Sequence, residues 1–193
     1  TQVGFLSRYE PAALPARELL HERTLRHANL LQIRNGQPLR YWTSRYDLSG
    51  GSFVENTIHR IDLLRYLVDD DIEDVSAFYM PRRPGEGPEP MDLPHVYNVN
   101  YRFASGITVN ATVSRVQYES GIEKSDLLVV SDEHLLEYYP DRLVENSEMV
   151  WETDQKVNGF ARQAEAFIRA VQKDDHDVMR SSYADAMNSL AAV

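Results

Sequence analysis

The sequence predicts an α+β fold: an open, largely antiparallel (mixed) β-sheet with helices packed on one face. Three observations lead there. Segments that alternate with a period of two are interleaved with segments of helical period, in the order strand, helix, strand, helix, a run of strands, then two helices. The chain has 193 residues, so residues 1–193 read as a single domain with one core. Apolar residues make up 42%, ordinary for a packed globular chain and too many for a disordered one.

The elements follow in order. Val3 to Leu6 reads as a short buried strand, and Pro11 opens a helix that runs to about Glu22. His27 to Arg34 is a second strand, stopped by the turn dipeptide Asn35-Gly36. Residues 37–49 read as an irregular stretch rich in Arg, Tyr and Trp. From Gly51 to Val68 the apolar residues Val54, Ile58, Ile61, Leu64 and Val68 share one helical face. Val75 to Met80 is a strand. Residues 81–94 hold five of the nine prolines and form a loop long enough to act as a lid. His95–Phe103 and Ile107–Gln117 flank a hairpin turn at Ala104-Ser105-Gly106. Lys124–Val130, His134–Tyr139, Arg142–Glu145 and Glu148–Thr153 are further short strands. Phe160 to Val171 is a helix with Phe160, Ala164, Phe167, Ile168 and Val171 on one side, and Ser181 caps a last helix through Val193.

Composition excludes several functions. The formal net charge is −10, so the long-range field repels nucleic acid and anionic membranes, and neither is an expected partner. Without cysteine there is no disulfide scaffold, thiol nucleophile or cysteine zinc site. Its absence fits a reducing compartment, and the expected location is cytoplasmic. No signal peptide and no apolar run of ~20 residues is visible. The chain opens at Thr1 inside an apparent strand and closes at Val193 inside an apparent helix, which reads as a fragment of a longer polypeptide.

One constellation carries chemistry. Glu55 and His59 stand four apart on the helix that follows Gly50-Gly51, and Asp62 stands three further on, so all three share a stripe. A carboxylate beside an imidazole favours the protonated ring and fixes its orientation. That suits a general base acting on a hydroxyl, although the same spacing also occurs on ordinary solvated helix faces. Two ligands make only half a metal site, and no second cluster supplies the rest, so no metal is expected.

The stretch from Gly50 to Leu67 resembles the GG-x-x-x-D-x-x-x-H-x-x-D-L signature of the glucose-fructose oxidoreductase / inositol dehydrogenase (Gfo/Idh/MocA) family. Val3 to Tyr9 is similar to the strand that enters the family's second domain, Pro11 to Leu20 to the helix after it, and Phe160 to Val171 to its closing helix. The resemblance implies a two-domain enzyme. An N-terminal Rossmann domain, absent from this sequence, would bind NAD or NADP. This chain would be the substrate-binding and oligomerisation domain, with no cofactor of its own. No G-x-G-x-x-G occurs, and Gly85-Glu86-Gly87 lies in a proline-rich loop outside any strand–helix context.

Carried over residue by residue, His59 matches the catalytic histidine and Glu55 its acidic partner, where the family usually has Asp. Asp62 matches a second acid, in a substrate-binding or structural role. Gly50 and Gly51 match the cofactor-adjacent turn. Arg45 and Tyr46 are candidate substrate contacts. The implied activity is NAD(P)-dependent hydride transfer to or from a sugar, polyol or related hydroxy compound, with the fragment alone inactive. The implied partners are a small-molecule substrate, the chain's own Rossmann domain, and further copies in a homo-oligomer through the sheet, where Tyr97, Tyr101 and Tyr118 are candidate lining residues. The alternatives are a non-catalytic regulatory or sensing member of the family and a dimerisation module.

Overall fold

A computed structural model describes residues 1–35, 40–117 and 121–193. Tyr118 and most of the turn and loop expected at 36–39 lie outside them. Eight strands form one sheet: β1 (Leu25–Asn35), β2 (Ile72–Met80), β3 (Val96–Phe103), β4 (Thr108–Gln117), β5 (Lys124–Ser131), β6 (His134–Tyr139), β7 (Arg142–Glu145) and β8 (Glu148–Glu152), in the spatial order β2-β3-β4-β1-β5-β6-β7-β8. The central pair β1 and β4 runs parallel, and every other described pair is antiparallel. The expected mixed, largely antiparallel sheet is therefore present.

Alternation sorts the two faces. Ala28 and Leu30 of β1, Val99, Tyr101 and Phe103 of β3, Val109, Ala111 and Val113 of β4, and Leu127 and Val129 of β5 point to one side and are buried there. Helices α1 (Ala13–His21) and α3 (Ile58–Val68) cover that side. Asn98, Asn100, Asn110 and Thr112 face the other way and hydrogen-bond across strands, which keeps the uncovered face polar. Tyr97 and Tyr101 belong to the covered side: Tyr97 stacks on Phe53 and Tyr101 is buried in the core. As candidate lining for an open, oligomer-forming face, those two are corrected.

Helix α3 is buried nearly all round. Ile61, Leu63, Leu64 and Leu67 join the main core, while Ile58 packs with Phe5 and Ala186 in a smaller cluster. Its outer side is closed by a 3-10 turn at Leu6–Tyr9 and by α5 (Tyr183–Ala191).

Three local expectations need correction. Val3–Leu6 is not a strand. Both edges of β1 are taken by β4 and β5, and the segment bonds locally, Phe5 N–H to Val3 O and Leu6 N–H to Gly4 O, while Val3 N–H reaches Ser181 O. Within residues 37–49, Trp42–Ser44 forms a 3-10 turn and α2 (Tyr46–Ser49) one helical turn. The last helix is capped by Ser182, whose side chain accepts from Asp185 N–H, whereas Ser181 is buried one residue earlier. The helix expected at Phe160–Val171 is present as α4 (Gly159–Lys173), and its apolar side is exposed: Phe160 is 74% and Val171 68% accessible. Asn158 caps α4 by accepting from Ala161 N–H, and its first residue is glycine because a Cβ there would come within 2.7 Å of Leu6 O.

Candidate active site

The helix carrying His59 is entered through two left-handed residues, Gly50 at φ 72° and Gly51 at φ 94°. A side chain on Gly51 would meet the Tyr46 ring and the Tyr97 hydroxyl at 3.1 Å, so this turn is closed to anything larger. The helix does not begin as a regular α-helix. Phe53–Thr57 is a π-turn, with Ile58 N–H reaching back to Phe53 O. One extra residue in a turn rotates the side chains before it by about 100° relative to an unbroken helix, and such turns recur at functional sites.

His59 is partly buried, with its ring edge-on to Phe5 at a centroid distance of 5.9 Å. Nδ1 is enclosed and has no hydrogen-bond partner among the described residues, while Nε2 is not enclosed in this way. Burial lowers the imidazole below its ordinary value; Asp62 and Glu55 pull it back up only in part, and Arg60 opposes them. Desolvation therefore outweighs the pull of the carboxylates towards the protonated ring. Glu55 acts through space: no ion pair within 4.0 Å joins it to His59.

Asp62 lies elsewhere. It is fully buried, accepts from Arg8 Nε at 2.7 Å and Nη2 at 2.6 Å, and accepts from Ser189 Oγ at 2.7 Å. Both oxygens are occupied, so the structure gives Asp62 a bracing role between α3, the 3-10 turn and α5 in place of a substrate contact. Arg45 is also engaged, with Nε 3.1 Å from Asp47 and 3.2 Å from Asp92. Asp92 accepts from Tyr46 N–H at 2.6 Å as well, and Asp92 N–H donates to Ser44 O. Arg45 thus ties the 40–49 segment to the 81–94 loop. The Tyr46 ring stays exposed and leans over Gly51.

Sequence reasoning missed several neighbours. Glu10, buried beneath α3, accepts from Arg60 Nη1 at 3.0 Å and from the Tyr138 hydroxyl at 2.8 Å, three elements meeting on one carboxylate. Tyr97 lies beside the Gly51 turn, and burial pushes its phenol up to about 12. Ser52 is near enough to oppose that shift, yet neither oxygen has a hydrogen bond of normal geometry. Each of these pairings spans a long sequence separation, which local periodicity cannot register. Among the described residues no group of three or more His, Asp or Glu is placed to hold a metal. A cleft of about 660 Å³ between α1, α3, α4 and residues 177–180 is lined by Arg17, Tyr66 and Arg169 and includes neither His59 nor Glu55.

Fold and site together define an α+β domain in which a sheet-covering helix, entered through a Gly-Gly turn, carries a half-buried histidine whose charged form burial disfavours. The family profile described as GFO/IDH/MocA C-terminal domain matches residues 14–130, more than half of the chain, and the chain belongs to that family. The inositol 2-dehydrogenase of Acidothermus cellulolyticus is 28% identical over 113 residues, 58% of this chain and 31% of that protein. Two solved structures share the fold. An oxidoreductase from Thermotoga maritima has a TM-score of 0.80 at 18% identity, covering 98% of this chain and 57% of that one. GenD2 from gentamicin A biosynthesis, in complex with NAD, has a TM-score of 0.72 at 18% identity, covering 97% and 58%. The chain thus spans about a third of the curated relative's length and under two thirds of these solved chains. Among the described residues no helix is long and apolar enough to cross a membrane.

Proposed function

We propose that this chain is the substrate-side domain of an NAD(P)-dependent oxidoreductase that interconverts a CH–OH group of a sugar, polyol or related compound with the corresponding carbonyl. His59 is the proton acceptor. The observation that carries this reading is its setting: a half-buried imidazole on the helix entered through the Gly-Gly turn, lowered by burial, with Nδ1 enclosed and Nε2 the nitrogen left to react. A base must be unprotonated at working pH, and burial secures that here.

NAD or NADP, when bound, supplies the hydride acceptor. This chain's residues do the rest. His59 takes the hydroxyl proton as the carbonyl forms, and Glu55 stabilises the resulting imidazolium through space. Gly50 and Gly51 supply the left-handed turn that leads the chain into the His59 helix. An N-terminal dinucleotide-binding domain belongs to the proposal. The exposed apolar side of α4, with Phe160, Phe167, Ile168 and Val171, supports it by offering a surface for another domain. Exposed Phe78, Tyr79 and Met80 on edge strand β2 support self-association at that edge. A cytoplasmic location completes the reading, supported by the absence of cysteine.

The test is turnover of the whole protein with NAD⁺ and NADP⁺ against a panel of polyols, aldoses and sugar acids. His59→Gln should cut kcat by ~10²–10⁴-fold, the usual contribution of a general base. Unchanged turnover in that variant rejects His59 as the base.

A further inference from the structure

The covered face of the sheet carries a second polar group that the chemistry above leaves unused. On β1 the inward positions run Ala28, Leu30, Gln32, and the next in that alternation is Arg34. On β4 they run Val109, Ala111, Val113, and the next is Arg115. The two strands are parallel neighbours. Ile33 pairs with Ser114 and Asn35 with Gln117, so an extra β4 residue is accommodated beside Arg34. Adjacent strands lie ~4.8 Å apart, and two guanidinium groups therefore end neighbouring apolar rows at the same end of the sheet.

Nothing among the described residues satisfies them. Neither guanidinium has an ion pair or a hydrogen bond there, and the Nε of each is buried without a partner. Gln32, next inward on β1, is 1% exposed, and both its amide oxygen and its amide nitrogen lack partners. Burial holds both arginines below their ordinary value. Arg115 is lowered further by Arg34, and Arg34 by Arg60, while Glu55, Tyr97 and Glu123 offset this from a distance. Arg60 is itself committed to Glu10. Half-buried cations without a close counter-charge are costly, and unsatisfied polar groups at neighbouring inward positions call for a partner such as a bound anion.

The same groups connect this cluster to the proposed base. Glu55 acts on both His59 and Arg115, and Arg60 acts on both His59 and Arg34. Both arginines also extend the inward rows of the sheet face that the His59 helix covers. Guanidinium forks match carboxylate and phosphate geometry and bind them in bidentate fashion.

We propose that Arg34 and Arg115, with Gln32, form an oxyanion subsite, and that the substrate carries a carboxylate or phosphoryl group which they hold while its reacting hydroxyl faces His59. The proposal rests on the reading of His59 as the base and names the substrate class: acidic or phosphorylated sugars in preference to neutral polyols.

The test is titration calorimetry on the whole protein with D-glucuronate, D-glucose 6-phosphate, inorganic phosphate and neutral D-glucose. Wild type is compared with Arg34→Gln/Arg115→Gln. At least one anionic probe should bind the wild type and lose ~10–100-fold in the double variant, the share of a charge-assisted hydrogen bond or two, while D-glucose changes little. The variant should melt no lower than wild type, because it removes two half-buried cations that lack a close counter-charge. Equal affinities in both proteins, or no anionic probe bound by the wild type, overturn the proposal. NAD⁺ and NADP⁺ are titrated separately. A loss confined to them assigns the oxyanion to the cofactor and also overturns it. His59→Gln separates the two readings: it should lose turnover yet keep glucuronate or phosphate binding, so failure of the base and failure of the anion subsite give different results.

Discussion

Arg8 and Asp62, 54 residues apart, form a buried two-pronged pair in which Nε and Nη2 of the guanidinium each donate to one carboxylate oxygen, at 2.7 and 2.6 Å. Around it, Ser189 from α5 donates to Asp62, and Asp185 stands 2.6 Å from Arg8 Nη1. The pair locks the outer side of α3, and with it the helix that presents His59.

Breaking this pair on one side leaves a buried cation with only part of its counter-charge. Asp62→Asn should lower stability by ~3 kcal/mol in chemical denaturation. Arg8→Met/Asp62→Leu, which removes both charges, should lose less than the single variant. A loss below about 1 kcal/mol for Asp62→Asn would contradict the bracing role.

Gly51 should tolerate no side chain. Its φ of 94° strains any L-residue, and the new Cβ would press on Tyr46 and Tyr97 at 3.1 Å. Gly51→Ala should cost about 1–3 kcal/mol. Gly85→Ala, at φ 83° but with open space around it, should cost about 1 kcal/mol and serves as the control for backbone strain alone. Equal losses at the two sites would mean that the contacts around Gly51 are unimportant.

His59 should titrate below 6.5 in the folded protein, because burial disfavours the imidazolium. The sign follows from proton binding. Between the lowered folded value and 6.5 the unfolded chain holds more of this proton, so the His59 contribution to stability is complete above 6.5 and is lost as pH falls through the folded value. NMR titration of the ring carbon protons checks the value directly. Denaturation between pH 7 and 4 should show a flatter acid decline in His59→Gln. A ring titrating above 6.5 would reverse both the sign and the argument for a resting base.

The periodicities of the chain determined more than its composition did. Alternation in β3 to β6 and the three-and-four spacing of Val54, Ile58, Ile61, Leu64 and Val68 are local properties, because side-chain direction repeats with the backbone. They placed most strands and the His59 helix to within a few residues. The Gly50-Gly51 turn was legible for a similar reason: only glycine enters such backbone angles without strain. Tertiary structure decided the rest. Whether Asp62 met substrate or a partner depended on Arg8 and Ser189, far away in sequence. Whether His59 rested charged or neutral depended on how deeply it was buried, a sum over neighbours such as Phe5 that no spacing encodes. Arg34 and Arg115 stood in the sequence as ordinary cations. Only the pairing of β1 with β4 brought them side by side on the covered face, because strand register assigns each side chain to one face and one neighbour.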